Sequence, residues 1–232
     1  MAYEFFLGID VADKQADEPG TVSLALIEKS QENADEASTY RLDSMEAYAG
    51  DADPDDIADH VQGLLASSPY TARTGLFVNR ESQRGQAVYD ALEERGLPVR
   101  AVTLTDDRHS APPTLEGDDE SVARRETVRA IATAHREGRV EIQHRETEAA
   151  SVLARRLQHF GALAVDGEAP EAMEGSEAEE GETLPTRFDA VTSSAALAVW
   201  FATQRSFDPT SHLKADPQTS GEVFTEESGP QV

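Results

Sequence analysis

Phe5-Phe6-Leu7-Gly8-Ile9-Asp10 decides the fold. Four large apolar side chains and a glycine lead to one carboxylate, the pattern of a central strand with an acid at its C-terminal end. In an open α/β sheet, ligands gather in the crevice outside the C-terminal strand ends, so Asp10 stands where a substrate or cation can reach it. Beyond the turn signal Pro19-Gly20, the run Thr21-Val22-Ser23-Leu24-Ala25-Leu26-Ile27 supplies a second buried strand.

Reading outward, residues 4–11 and 21–29 form neighbouring strands. Residues 38–44 form a third, with Tyr40 and Leu42 alternating with polar neighbours. Asp53-Pro54-Asp55-Asp56 opens a helix: an acidic N-cap, proline in the first turn, and acids where the macrodipole favours them. Ile57, Val61, Leu64 and Leu65 form its buried stripe. Residues 74–79 read as a strand, and Ser82 caps a helix to 94 with Val88, Tyr89 and Leu92 inward and Gly96 at its stop. A short strand covers 99–104. A polar loop containing Pro112-Pro113 covers 105–120, and a helix from 121 to 137 ends at Gly138. A strand at 140–142 and a helix at 146–160 follow. The last helix, 188–204, is apolar apart from small hydroxyls and must be buried.

This order predicts one α/β domain over 1–205. Its sheet is mixed, an antiparallel meander of three strands followed by parallel crossovers with helices on both faces. An insertion at about 166–184, rich in Glu, Gly and Ala, is expected to be weakly ordered, and 206–232 to be a flexible tail.

The formal charge of −25 over 232 residues has a specific texture. Lys14, Lys29 and Lys214 are the only lysines, and the acids are scattered along the whole chain. Such a composition suits a highly saline cytoplasm, because at ~1 M salt the Debye length falls to about 3 Å and surface carboxylates cease to repel at long range. The competing reading is an acidic protein that repels or mimics nucleic acid. Under the saline reading, net charge does not exclude a nucleic-acid partner. The absence of cysteine excludes disulfides, thiolate catalysis and cysteine-ligated zinc. No apolar run approaches the ~20 residues of a membrane span, and no basic segment leads an apolar one, so neither a membrane nor the usual secretion signal is expected.

The strand order, with one acid on the first strand and another at a late helix, resembles the ribonuclease H-like superfamily. Within it, the chain is most similar to the nuclease domain of phage terminase large subunits, over roughly residues 4–203. The resemblance rests on Leu7-Gly8-Ile9-Asp10, on the strand–glycine–helix stretch 77–96, on 125–140 with its Arg-Glu-Gly-Arg-Val ending, and on Arg187-Phe188-Asp189 opening an Ala-rich helix. It implies metal-dependent hydrolysis of DNA, with DNA as partner and packaging or recombination proteins alongside. Phosphodiester hydrolysis by this route needs acids converging on two Mg²⁺ or Mn²⁺ ions about 3.5–4 Å apart. Hard cations take oxygen ligands, which carboxylates supply.

By this resemblance Asp10 bridges both ions and Asp189 holds one of them. Each has a plainer reading, Asp10 as a strand-end acid capping a loop and Asp189 as an ordinary helix N-cap. The family places a further acid at the end of the fourth strand, where this chain has Asn79. Glu81 then completes the set, or Asn79 ligates through its amide oxygen, with Asp13 and Glu81 in reserve. Phe188 also stands where the family often carries an acid adjacent to Asp189. These departures keep open a catalytically degenerate domain that binds nucleic acid or protein.

Arg80 and Arg84 beside the site, and Arg125 and Arg129 on one face of the 121–137 helix with Arg136, are candidate phosphate contacts. The bland alternative for most of them is i,i+4 pairing with Glu126, Glu137 and Glu148 on a solvated surface. No P-loop exists, so the packaging motor of full-length terminases is not encoded here. The histidines show no zincin spacing, and no Gly-x-Ser-x-Gly elbow appears. A fragment of an actin-like sugar or acetate kinase would also explain Gly8-Ile9-Asp10, but it needs a second glycine-rich phosphate loop, which this sequence lacks.

Overall fold

The structure is a computed structural model that describes residues 2–12, 20–31, 36–105, 119–142, 147–163 and 190–205. Three long strands come first, β1 (Ala2–Ala12), β2 (Thr21–Gln31) and β3 (Thr39–Ala49), each antiparallel to the next. Helix α1 (Pro54–Ala66) returns the chain to β4 (Thr74–Asn79), which lies parallel to β1. Helix α2 (Gln83–Glu94) leads to β5 (Val99–Thr105) and on to β6 (Asp119–Ala123), each parallel to its predecessor in the sheet. Helix α3 (Arg124–Arg136), β7 (Val140–Ile142), α4 (Glu148–Leu163) and α5 (Ala190–Gln204) complete the order. The seven strands stand in the order β6-β5-β4-β1-β2-β3-β7. This is the α/β mixed sheet expected for a ribonuclease H-like arrangement, antiparallel in its first three strands and parallel thereafter.

Both faces are covered, which is why β1 reads as a continuous apolar run. Phe5, Leu7, Ile9 and Val11 point toward α1 and α2, where they meet Ile57, Val61, Val88 and Leu92. Phe6 points the other way, with Ala25, Ile27, Phe77, Val102 and Leu104, onto α3, α4 and α5. Residues 190–202 of α5 are all buried, so this helix forms the centre of that layer. Phe201 stacks on Phe77 with ring centroids 3.7 Å apart. The close seat of α5 depends on Gly8. A Cβ there would run into the Ser194 carbonyl oxygen and come within 3.0 Å of the Ala198 nitrogen.

The sequence reading needs two corrections. Residues 119–123, expected as the end of a loop and the start of a helix, form β6, which pairs with β5 from Ala101↔Asp119 to Thr105↔Ala123. Ser121 looks locally like a helix cap, but β5 offers a row of backbone donors and acceptors that must be satisfied, and pairing with them outweighs the local signal. Helix α3 therefore starts at Arg124, three residues late. Strand β3 also runs on to Ala49, because β2 gives it a partner along its whole length, with one register shift at Leu26/Ile27. The Pro112-Pro113 loop, the acidic insertion and the tail lie outside the described residues. No helix among the described residues is long and apolar enough to cross a membrane.

Candidate functional site at the C-terminal strand ends

Strands β1 and β4 run side by side in parallel up to Ile9↔Val78, so the next residues, Asp10 and Asn79, stand together at the strand ends. Side chains alternate along a strand, and Phe6 and Phe77 face α5, so Asp10 and Asn79 face it too. Asn79 Nδ2 donates to Asp10 Oδ1 at 2.6 Å. Asn79 Oδ1 accepts from the backbone N–H groups of Glu81 and Leu104, each at 3.2 Å. Those two groups can only donate, so the amide oxygen must face them and the amide nitrogen must face Asp10. An asparagine satisfies both sides at once.

Asp10 is only 2% exposed. Burial disfavours its charge and pushes its pKa up. Four features pull the other way: the Asn79 amide, the Arg124 guanidinium, the Val11 backbone N–H and the Ser193 hydroxyl, in that order of weight. Ser23 lies opposite Asp10 in the β1–β2 register, and Ser194 Oγ donates to Ser23 Oγ at 3.1 Å. The first turns of α5 thus lay buried hydroxyls over the acid.

Arg124 closes the site from the other side. It follows β6 directly and opens α3, whose N-cap, Ala123, offers no side-chain acceptor. One arm of the guanidinium donates to Glu81 Oε2 at 2.7 Å and the other to Ser193 Oγ at 3.4 Å. Glu81 lies on the connection from β4 to α2. There Ser82 Oγ caps the helix by accepting from Gly85 N–H at 3.0 Å. Gly85 lets that first turn rest on the end of β4, since a Cβ would strike the Asn79 carbonyl oxygen.

The expected site residues divide accordingly. Asp10 and Asn79 meet. Glu81 is exposed and joins Arg124. Asp189, which precedes the first residue of α5, and Asp13 lie outside the described residues. Arg84 spends its guanidinium on the Ala52 carbonyl, and Arg80 lies 5.8 Å from the centre of the Tyr89 ring. Arg125 is half-buried, while Arg129 and Arg136 are exposed. Among the described residues no three His, Asp or Glu side chains are grouped to hold a metal ion.

Mg²⁺ or Mn²⁺ would need oxygen acceptors turned toward Asp10. Among the described residues, Asp10 accepts from the Asn79 amide, the Val11 backbone N–H and the Ser193 hydroxyl. The only side-chain oxygen Asn79 has is committed to two backbone donors. Of the expected ligands, Asp10, Asn79 and Glu81 lie among the described residues, and Asn79 turns its amide nitrogen rather than its oxygen toward Asp10.

Sequence reading missed Arg124, Ser193, Ser194 and Ser23. One signal was available for Arg124: a cation in the first turn of a helix opposes the macrodipole and calls for a compensating anion. With the helix starting at Ser121, Arg124 still falls in its first turn, so the signal was present in the sequence. No family model, curated protein or solved structure matches this chain.

Proposed function

We propose that this chain is a catalytically degenerate ribonuclease H-like domain that binds nucleic acid without cutting it. The observation that carries the reading is the Asn79 Nδ2–Asp10 Oδ1 bond of 2.6 Å, which fills the space beside the buried acid with a donor. The choice of nucleic acid follows from charge placement in a chain of net charge −25. Arg80 follows the end of β4 and Arg125 follows the end of β6, on the same edge of the sheet as Asp10. Arg129 continues this edge one turn along α3 and is exposed. In concentrated salt such contacts weaken steeply, so few charges are used and other contacts must add to them.

A second reading keeps the nuclease, with Asp10, Glu81 and Asp189 gathering Mg²⁺ or Mn²⁺. It is favoured by the burial of Asp10 at the mouth of a central strand and by α5 beginning at Ala190, directly after Asp189. It requires Glu81 to leave Arg124.

The two readings separate in a plasmid-nicking assay in high KCl with Mn²⁺ or Mg²⁺, run beside fluorescence anisotropy on labelled DNA and RNA strands. The binding reading expects no nicking, affinity retained in Asp10→Asn and affinity lowered in Arg129→Glu. Nicking that disappears in Asp10→Asn establishes the nuclease instead. Loss of all binding in the wild type removes the nucleic-acid partner.

A further inference from the structure

We infer that the outer edge of β3, from Met45 to Ala49, is a docking site for an extended segment of another protein. That segment alternates basic with large apolar residues and adds to the sheet as a further strand. The inference goes beyond the nucleic-acid reading and does not depend on it.

The edge is open because β7 is short. Strand β3 pairs with β2 along its length, but its other side meets β7 only from Tyr40↔Val140 to Leu42↔Ile142. That ladder stops where β3 carries an extra residue, Asp43, between Leu42 opposite Ile27 and Ser44 opposite Leu26. A bulge of this kind bends the strand and terminates pairing. Among the described residues no strand lies beside β3 beyond it.

Two bonds establish which backbone groups face outward. Before the bulge, Tyr40 N–H reaches away from β2 to the Arg139 carbonyl at 2.7 Å. Beyond it, the Glu46 carbonyl accepts from Ser23 Oγ of β2 at 3.2 Å, so Glu46 turns its backbone groups inward. Successive residues of a strand alternate in this respect, and Met45, Ala47 and Ala49 therefore turn theirs to the open edge. The Ala49 carbonyl is taken by Ala52 N–H at 2.9 Å, which closes the site at that end. Ala47 and Ala49 are exposed, and a methyl group shields little of the backbone beside it. No lysine or proline guards the stretch, as either often does at an exposed edge.

The flanking side chains define the partner. Glu46 and Tyr48 face α1: Tyr48 Oη donates to Glu46 Oε2 at 2.7 Å, and His60 Nε2 lies 3.2 Å from Oε1. The Glu46 side chain so positioned is still 37% exposed. Met45 faces the opposite layer, and Ala47 and Ala49 alternate onto that same face. An added strand thus sets every other residue beside a carboxylate, where Lys or Arg is favoured. The residues between lie over two alanine methyls, where there is room for large apolar side chains. A second copy of this chain is disfavoured, because it would bring another net charge of −25 to an acidic edge. Main-chain bonds supply the affinity and the side chains the choice of partner.

Fluorescence anisotropy and amide hydrogen exchange read by NMR test this on the full chain in high KCl. The probes are the labelled peptide Lys-Val-Lys-Val-Lys-Val-Lys, its form with every peptide nitrogen methylated, and the matching Glu-Val peptide. In the free protein the Ala47 amide is expected to exchange about tenfold faster than the Glu46 amide, or more. The Lys-Val peptide is expected to bind and to slow the Ala47 amide about tenfold, and the other two probes to do neither. Ala47→Pro removes one outward N–H and is expected to abolish binding. Equal binding of the methylated peptide overturns the inference, because charge alone would then hold the probe. Failure of the Lys-Val peptide to bind overturns it, as does an Ala47 amide as protected as that of Glu46 in the free protein. Self-association of the wild type that Ala47→Pro abolishes also overturns it, by assigning the edge to a second copy. If Ala47→Pro does not fold, Glu46→Lys takes its place. Binding should then pass from the Lys-Val to the Glu-Val peptide, and an unchanged preference defeats the assignment.

Discussion

Lys29 Nζ, on β2, donates to the carbonyl oxygen of Ala202 in the last turn of α5, at 2.8 Å and across 173 residues of sequence. A second bond runs to the Arg205 carbonyl at 2.5 Å. The last carbonyls of a helix have no partner within it, and a cation is the favoured one. The lysine is only 3% exposed, so burial lowers its pKa, and the charge of Glu4 partly offsets this.

Lys29→Met should therefore destabilise the protein although it removes a buried charge, because two carbonyls at the end of α5 lose their donor. Hydrogen bonds to a charged group contribute about 1.5–3 kcal/mol. A loss of about 2 kcal/mol is expected in urea unfolding, with m unchanged.

Asp10→Asn should be more stable than the wild type at neutral pH, by about 1–3 kcal/mol, because it removes a charge from the interior and keeps an acceptor for Asn79. The sign of the pH dependence follows from the raised pKa. As pH falls, the folded protein takes up the Asp10 proton before the unfolded chain does, and the cost of the buried charge is relieved. The cost is present in full above the folded pKa and gone below the ordinary value of 3.8. The advantage of Asp10→Asn should thus shrink steadily as urea titrations are repeated from pH 7 toward pH 4. A constant advantage would contradict the assignment.

Asn79→Asp should be the most damaging conservative change at the site. It places one carboxylate against another where Nδ2 now lies 2.6 Å from Oδ1. Two such acids cannot both ionise without a proton or a cation between them. A loss of about 3–5 kcal/mol is expected at neutral pH, together with partial recovery in acid or in excess Mn²⁺. Thermal melts with Mn²⁺ and with EDTA measure it, and in this variant, unlike the wild type, the two should differ.

Glu120→Gln should stabilise the protein by about 1 kcal/mol at pH 8. Glu120 lies on β6 with both carboxylate oxygens buried and, among the described residues, without a hydrogen-bond partner. Burial raises its pKa, and Arg100 offsets this in part. The gain should narrow at lower pH, because the folded wild type regains a neutral acid before the unfolded chain does.

Gly8→Ala should cost about 3 kcal/mol or more and push α5 outward, since the new methyl has only helix backbone to displace. Chemical denaturation measures the cost. Near-UV circular dichroism should report the altered packing of Phe77, Phe201 and Trp200, whose rings share that layer.

Much of the sheet was legible in the sequence, because its signals are local. The strand Thr74–Asn79 and the Ser82-capped helix α2 stand at the boundaries read from composition, since alternation, capping and turn chemistry act within a few residues. The burial of α5 was equally plain from its lack of a polar face. Asp10 was legible as the acid at the end of a central strand.

Three facts could be decided only by the tertiary structure. Strand β6 exists because β5 leaves an edge to pair with. Asn79 turns its nitrogen to Asp10 because Leu104 and Glu81 bring backbone donors to its oxygen. Arg124 becomes a partner of Glu81 and Ser193 only when α3, α5 and the β4–α2 connection meet at one edge of the sheet. Periodicity determines which residues share a strand or a helix face. The direction of an amide and the partner of a charge depend largely on donors and acceptors far away in sequence, and only folding brings these within hydrogen-bonding distance.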